Sequence, residues 1–300
     1  MHRANIKSAT DLCKRPLALG ILLYLSTASA QTMAQMIEAK LHNGITVTAN
    51  YHAGVPSQPA VVLLHGFLQT QNSPPMSTLA GNLASKGYTT LNPTLSLGIN
   101  TRKQSMPCEA MHTHTIESNV AEIAYWVDWL YKNGNHNIAL VGFSSTGNFE
   151  ILLYNAKGSH PAIKKIILTS LSPIDSNPAE QQKTRAHSET RQNTGPTHPE
   201  TYSLGYCKNN FVATRKTYLS YAQFNENKIL ELVRLSPLPP NIILGSADNI
   251  LPKNWAARIS ALKSSTRVRI IENANHFFDG TAEFDLAEAV EGILKNMQVQ

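Results

Sequence analysis

Apolar residues in this chain fall into short continuous runs, and the stretches between those runs are amphipathic. Ala60-Val-Val-Leu-Leu64, residues 137–141 and residues 163–169 read as strands covered on both faces, the pattern of a parallel sheet. Residues 88–93, 240–244 and 267–271 read as three more strands. Helical spacing predicts helices over 77–86, 115–132, 148–156, 254–262 and 281–297. The clearest is 115–132, where Val120, Ile123, Ala124, Val127, Leu130 and Tyr131 recur on one face and Gly134 follows the end. Nearer the N-terminus, residues 36–41 and 45–51 alternate around His42-Asn43-Gly44 and predict an antiparallel hairpin. Strands alternating with helices imply an α/β fold with a mostly parallel central sheet and helices on both faces.

Residues 174–236 break this rhythm. They are polar, include Gln181-Gln-Lys-Thr-Arg185, and are too long for an ordinary connection. Helical character returns over 211–235. The stretch reads as a cap-like insertion between two core strands, with a disordered surface excursion as the alternative.

The first thirty residues read as a secretory signal peptide, and 31–300 as the folded domain. Basic residues through Lys14-Arg15 precede an apolar run over 17–25, and Ala28-Ser29-Ala30 supplies a small-x-small cleavage pattern. That run is well short of the ~20 residues needed to span a bilayer. The expectation is export to a periplasm or the extracellular space, with no stable membrane insertion after cleavage. Of the three cysteines, Cys13 leaves with the signal. Cys108 and Cys207 remain, an even pair expected to form one disulfide in an exported protein, with two reduced thiols as the alternative.

Composition narrows the function classes. Hydrophobic residues at 42% and charged residues at 15% support a sizeable core and argue against disorder. Half of the +6 net charge comes from the first thirty residues, where Arg3, Lys7, Lys14 and Arg15 face Asp11. No basic run with interleaved aromatics occurs, so no nucleic-acid partner is expected.

Four stretches carry chemistry. Gly142-Phe143-Ser144-Ser145-Thr146-Gly147 joins a buried strand to a helix, a sharp turn that lifts one hydroxyl above the sheet at the positive end of the helix. Asp248 and His276 lie in the loops after the last two strands, at the carboxyl edge where parallel sheets collect ligand chemistry. A carboxylate there can orient an imidazole, and a neutral imidazole can take a proton from a serine. His65-Gly66-Phe67-Leu68 ends the strand 60–64. His112-Thr113-His114 could supply two metal ligands, but a metal site needs about three or four, so a loop-bracing or substrate-contact role is expected.

The 142–147 stretch resembles the nucleophile elbow of the α/β-hydrolase superfamily, Gly-x-Ser-x-Gly, and the likeness extends in element order over the mature chain. Counting from Gly142 gives Ser144 as nucleophile, with Thr146 in the place of the second glycine and Gly147 matching a small residue one place on. Counting back from Gly147 would give Ser145; the turn apex, two residues beyond the strand end, favours Ser144. The order Ser144, Asp248, His276 is the one this fold uses for its catalytic triad. The resemblance further implies an oxyanion hole from the backbone N–H groups of Phe67 and Ser145, and a bracing role for His65. It implies a serine hydrolase acting on a small-molecule acyl substrate, an ester or related acyl bond, through an acyl-enzyme, with no metal and no organic cofactor. Peptidase, amidase or acyltransferase chemistry would use the same triad, and a non-catalytic binding protein on this scaffold is the contrasting class.

Overall fold

The computed structural model describes residues 34–190, 198–262 and 266–297; the expected signal segment lies outside them. The chain opens with the antiparallel hairpin β1 (Gln35–Lys40) and β2 (Thr46–His52), paired so that Ile37 faces Ala49. Then β3 (Ala60–Leu64), α1 (Met76–Ser85), β4 (Thr89–Thr94), α2 (Ile116–Lys132), β5 (Ile138–Phe143), α3 (Ser144–Ala156) and β6 (Ile163–Thr169) alternate. After an excursion the core resumes with β9 (Asn241–Gly245), α7 (Trp255–Ser260), β10 (Arg267–Ile271) and α8 (Ala282–Leu294). The eight core strands form one sheet in the order β1-β2-β4-β3-β5-β6-β9-β10, parallel from β4 to β10 and antiparallel at the hairpin end.

The continuous apolar strands are buried on both faces because helices cover both. Along β3, Val61 and Leu63 join a core with Leu79 and Leu83 of α1 and Leu286 and Val290 of α8. Val62 and Leu64 face the other way, into a core with Ile123 and Val127 of α2 and Phe149 of α3. The period of two along the strand thus feeds two separate cores. Thr115 and Ser118 set the start of α2 through reciprocal side-chain and backbone hydrogen bonds, a capping box.

The excursion between β6 and β9 contains α4 (Pro178–Thr190), the antiparallel ribbon β7 (Pro199–Leu204) and β8 (Cys207–Thr214), α5 (Arg215–Ala222) and α6 (Glu226–Leu235). Residues 211–214 are therefore strand where helical character was expected. Cys207, Phe211 and Ala213 are buried while Lys208 and Asn209 are exposed, so contacts across the ribbon decide this stretch. A second difference concerns α3, which begins at Ser144 rather than 148 and leaves no loop after β5. Cys108 and Cys207 form a disulfide, with Cα atoms 5.7 Å apart, that ties the loop before α2 to the start of β8. No helix among the described residues is long and apolar enough to cross a membrane.

Candidate active site

β5 passes into α3 at Ser144, whose φ of +60° lies in the left-handed region. For a non-glycine residue that conformation costs on the order of 1–3 kcal/mol and persists only where neighbours enforce it. Two glycines make the turn possible. A Cβ on Gly142 would sit 2.7 Å from both Gly147 O and Asn148 Oδ1. One on Gly147 would sit 2.8 Å from His65 O and 2.9 Å from Leu64 O. The close approach of α3 to β3 therefore falls at Gly147, and Thr146 is accommodated as a buried side chain. Asn148 holds the turn from below, donating to the carbonyls of Ser144 and Thr169.

Three of the residues nominated from sequence meet above this turn. Ser144 Oγ lies 2.8 Å from His276 Nε2, and His276 Nδ1 lies 2.8 Å from Asp248 Oδ2. The carboxylate accepts from Nδ1–H, which leaves Nε2 to accept from the serine hydroxyl. The other oxygen, Asp248 Oδ1, accepts from the Ile250 N–H at 2.9 Å. The Asp248 side chain is fully buried and that of His276 nearly so. Their loops are held together closely: a Cβ on Gly245, at the end of β9, would lie 2.2 Å from Ala274 O. Ser170, just past β6 with φ +48°, donates from Oγ to His276 O at 2.7 Å and from its N–H to Ile243 O at 2.9 Å.

Phe67 and Ser145 line the same cavity as Ser144 and His276, and neither N–H makes a hydrogen bond among the described residues. Ser145 stands in the first turn of α3, where backbone N–H groups have no partner within the helix and the dipole is positive. The loop carrying Phe67 is braced from several sides. His65 Nε2 accepts from the Leu95 N–H at 3.1 Å, and Nδ1–H donates to Gly66 O at 2.9 Å. Burial, reinforced by the neighbouring Arg102 charge, pushes the His65 pKa down to about 3, so the ring is a neutral brace. Gln69 Oε1 accepts from the Gly66 N–H at 3.0 Å.

Nothing in the chain singles out Arg102, a single arginine in a polar loop. It is 5% exposed and donates to Leu95 O at 2.8 Å, Gln104 O at 2.8 Å and Gln69 O at 2.6 Å. It so fastens the loop after β3 to the end of β4. Two buried acids lie nearby. Glu122 accepts from the Ser96 N–H, and Glu150 accepts from Asn119 Nδ2 at 2.8 Å. Burial raises their pKa values to about 7 and about 8. Gln69, Ser170 and Asn148 carry no distinguishing pattern in the chain either, because polar residues in loops and turns are common and only their partners set these apart.

The Phe67 ring is packed among Tyr206, Phe211 and Tyr221, with centroids 5.4, 5.8 and 5.8 Å away. Tyr206 follows Gly205 in the turn of the ribbon, next to the disulfide at Cys207, so the excursion is packed directly on the candidate oxyanion loop. His112 and His114 are buried at the edge of this packing. His112 stacks on Phe211 at 4.4 Å and its Nε2–H donates to Pro107 O at 3.2 Å, a loop-bracing arrangement. Among the described residues no group of three His, Cys, Asp or Glu side chains is placed to hold a metal ion. The cavity in front of Ser144 has a volume of about 930 Å³, with Phe143, Ile174 and Phe277 among its apolar lining.

No protein-family model matches this chain, and no curated protein matches it by sequence. Solved structures match by fold. GrgF, an alpha/beta hydrolase from Penicillium sp. sh18, is 17% identical with a TM-score of 0.67 over 89% of this chain and 99% of its own. Est1E from Butyrivibrio proteoclasticus is 17% identical with a TM-score of 0.59 over 88% and 98%. A bromoperoxidase from Bacillus anthracis is 17% identical with a TM-score of 0.59 over 87% and 100%. With the strand order and the turn at Ser144, these likenesses show that the chain has the α/β-hydrolase fold.

Proposed function

We propose that this protein is an exported serine hydrolase that cleaves an ester or related acyl bond. The observation that carries the reading is the chain of hydrogen bonds from Ser144 through His276 to Asp248 on the wall of a cavity of about 930 Å³. Ser144 Oγ attacks the acyl carbon and passes its proton to His276 Nε2. Asp248 holds the ring in the required tautomer and stabilises the imidazolium. The carbonyl oxygen gathers negative charge facing the N–H groups of Phe67 and Ser145. One such donor is worth about 3–4 kcal/mol to a transition state. Collapse of the intermediate breaks the bond to the leaving group, which takes the proton from His276 and leaves an acyl-enzyme. Water, deprotonated by His276, then releases the acid and returns the proton to Ser144.

The similar structures support this reading in kind: Est1E has been solved with ferulic acid bound, and a thioesterase domain from the curacin biosynthetic pathway shares the fold. The Cys108–Cys207 disulfide supports export, since such bridges persist in oxidising compartments. A fluorophosphonate probe tests the chemistry. Wild type is expected to be labelled and Ser144→Ala not. Labelling that survives Ser144→Ala but not Ser145→Ala would move the nucleophile, and a folded wild type that resists labelling would leave a binding protein on a hydrolase scaffold. A ladder of p-nitrophenyl esters run beside peptide substrates separates esterase from peptidase action.

A further inference from the structure

The wall contributed by α4 is polar. Pro178, Gln181, Gln182 and Arg185 line it at spacings of three and four residues, so they share one helical face. The helix is fastened through other positions. Glu180 Oε2 accepts from the Ser203 N–H and the Tyr218 hydroxyl, each at 3.1 Å, and Thr184 is buried. Gln182 and Arg185 are exposed, so a polar face with two carboxamides and a guanidinium borders the open side of the cavity, while Phe67, Phe143, Ile174 and Phe277 line it with apolar surface.

The charges around the cavity are not equally occupied. Asp175 pairs with Lys208, and Glu226 with Arg258. Gln181 Nε2 donates to Ser176 Oγ at 2.7 Å. Arg185 has no ion-pair partner among the described residues. A guanidinium with its planar fork of donors, beside the carboxamide of Gln182, matches a carboxylate, which accepts in the same plane. A cavity of about 930 Å³ is also large enough for a substrate well beyond a short acyl group.

We propose that the substrate is an ester bearing a free carboxylate, its apolar portion held by the aromatic lining and its carboxylate by Arg185 and Gln182. This rests on the acyl-hydrolase reading and names the substrate class for it.

The test compares three p-nitrophenyl esters of equal chain length: the mono-ester of adipic acid, its methyl-capped neutral counterpart, and the 6-aminohexanoate. Wild type is expected to favour the carboxylate ester over the neutral one by about tenfold in kcat/KM, chiefly through KM, as one charge-assisted contact would give. In Arg185→Ala the ratio should fall to about one, and in Arg185→Glu the ammonium ester should become the preferred member. A wild-type ratio of one or below, or a preference that persists in Arg185→Ala, overturns the proposal. Fluorophosphonate labelling of each preparation separates the two levels. Labelled enzyme without carboxylate preference overturns the substrate class alone, whereas absence of both labelling and ester turnover overturns the hydrolase reading and this proposal with it.

Discussion

Gly147 lies so close to β3 that a methyl group there would meet two carbonyl oxygens at 2.8 and 2.9 Å, whereas Arg185, lining the same cavity, is exposed with no ion-pair partner among the described residues. The first region, the turn at Ser144 and the loop at Phe67, is over-determined. Backbone contacts that admit only glycine, a buried arginine and a neutral histidine all constrain it. In the second, the excursion over 174–236, side chains such as Phe211, Tyr221 and Phe224 are buried in the main core, and backbone hydrogen bonds to Cys108 and His112 and the disulfide add to this, but the face of α4 on the cavity is exposed. A reacting group must be held to a fraction of an ångström. A surface that selects among substrates tolerates looser support, and polar side chains suffice to build it. Changes in the first region should therefore act on kcat, and changes in the second on KM and stability.

The largest expected effect lies in the first region. Asp248→Asn keeps the shape of the site but removes the acceptor that fixes the His276 tautomer, and should lower kcat about 10⁴-fold. A loss under tenfold in steady-state ester kinetics would remove Asp248 from the mechanism. Arg102→Met comes next. It strands the carbonyls of Leu95, Gln104 and Gln69 and frees the loop carrying Phe67. If the loop loses one oxyanion donor, kcat falls on the order of 10²-fold with KM little changed. An equal rise in KM would make Arg102 a generic structural residue instead.

In the second region, Cys207→Ser opens the bridge that holds the ribbon to the loop before α2. A loop of this length is worth about 3–5 kcal/mol, so Tm should drop by roughly 10 °C. Differential scanning calorimetry decides this, and a shift under 2 °C would show that ring packing and the backbone hydrogen bonds from Cys108 and His112 to Val212 and Thr214 hold the ribbon without the bridge.

The buried acids supply a pH test. Glu122 and Glu150 stay protonated in the fold up to about 7 and about 8, against an ordinary value of 4.5. Unfolded chains release these protons earlier, so stability from this source is complete below pH 4.5 and is lost as pH rises toward 8. His65 and His114, held at about 3 against 6.5, act oppositely: their contribution is complete above pH 6.5 and is lost as pH falls toward 3. Tm should therefore decline between pH 6.5 and 8, and Glu150→Gln should flatten that decline. An unchanged slope would place the alkaline loss elsewhere.

The smallest effect is expected from Glu180→Gln. It weakens the hold of α4 on Tyr218 and Ser203 and should raise KM a few-fold while kcat is retained. A fall in kcat with constant KM would mean that the two regions are coupled more tightly than their contacts suggest.

Much of this architecture could be read from the chain. Strands 60–64, 163–169 and 267–271 are bounded in the fold as read from the chain; burial is complete along 60–64, whereas Arg267, Arg269 and Ile270 are exposed on the edge strand. Gly134 marked the end of α2, and the helix read over 115–132 starts in the fold at Ile116, one residue after the Thr115 cap. Harder to read was the ribbon over 199–214. Its buried positions are defined by the core they pack on and by a cysteine 99 residues away. The polar face of α4 carries no apolar periodicity at all, so no pattern announced which side would meet a cavity.

By itself the sequence determined the alternation of strands and helices, the turn at Ser144 and the placement of Asp248 and His276 after neighbouring strands. Each of these depends on local backbone preference or on burial averaged over a short run. Only the tertiary structure decided that Gly147 makes the close approach to β3, that Arg102 ties two loops, and that Gln182 and Arg185 line the cavity. Those outcomes depend on distances between residues remote in the chain, and the free energy of a buried hydrogen bond or a steric clash is set by the partner met in space.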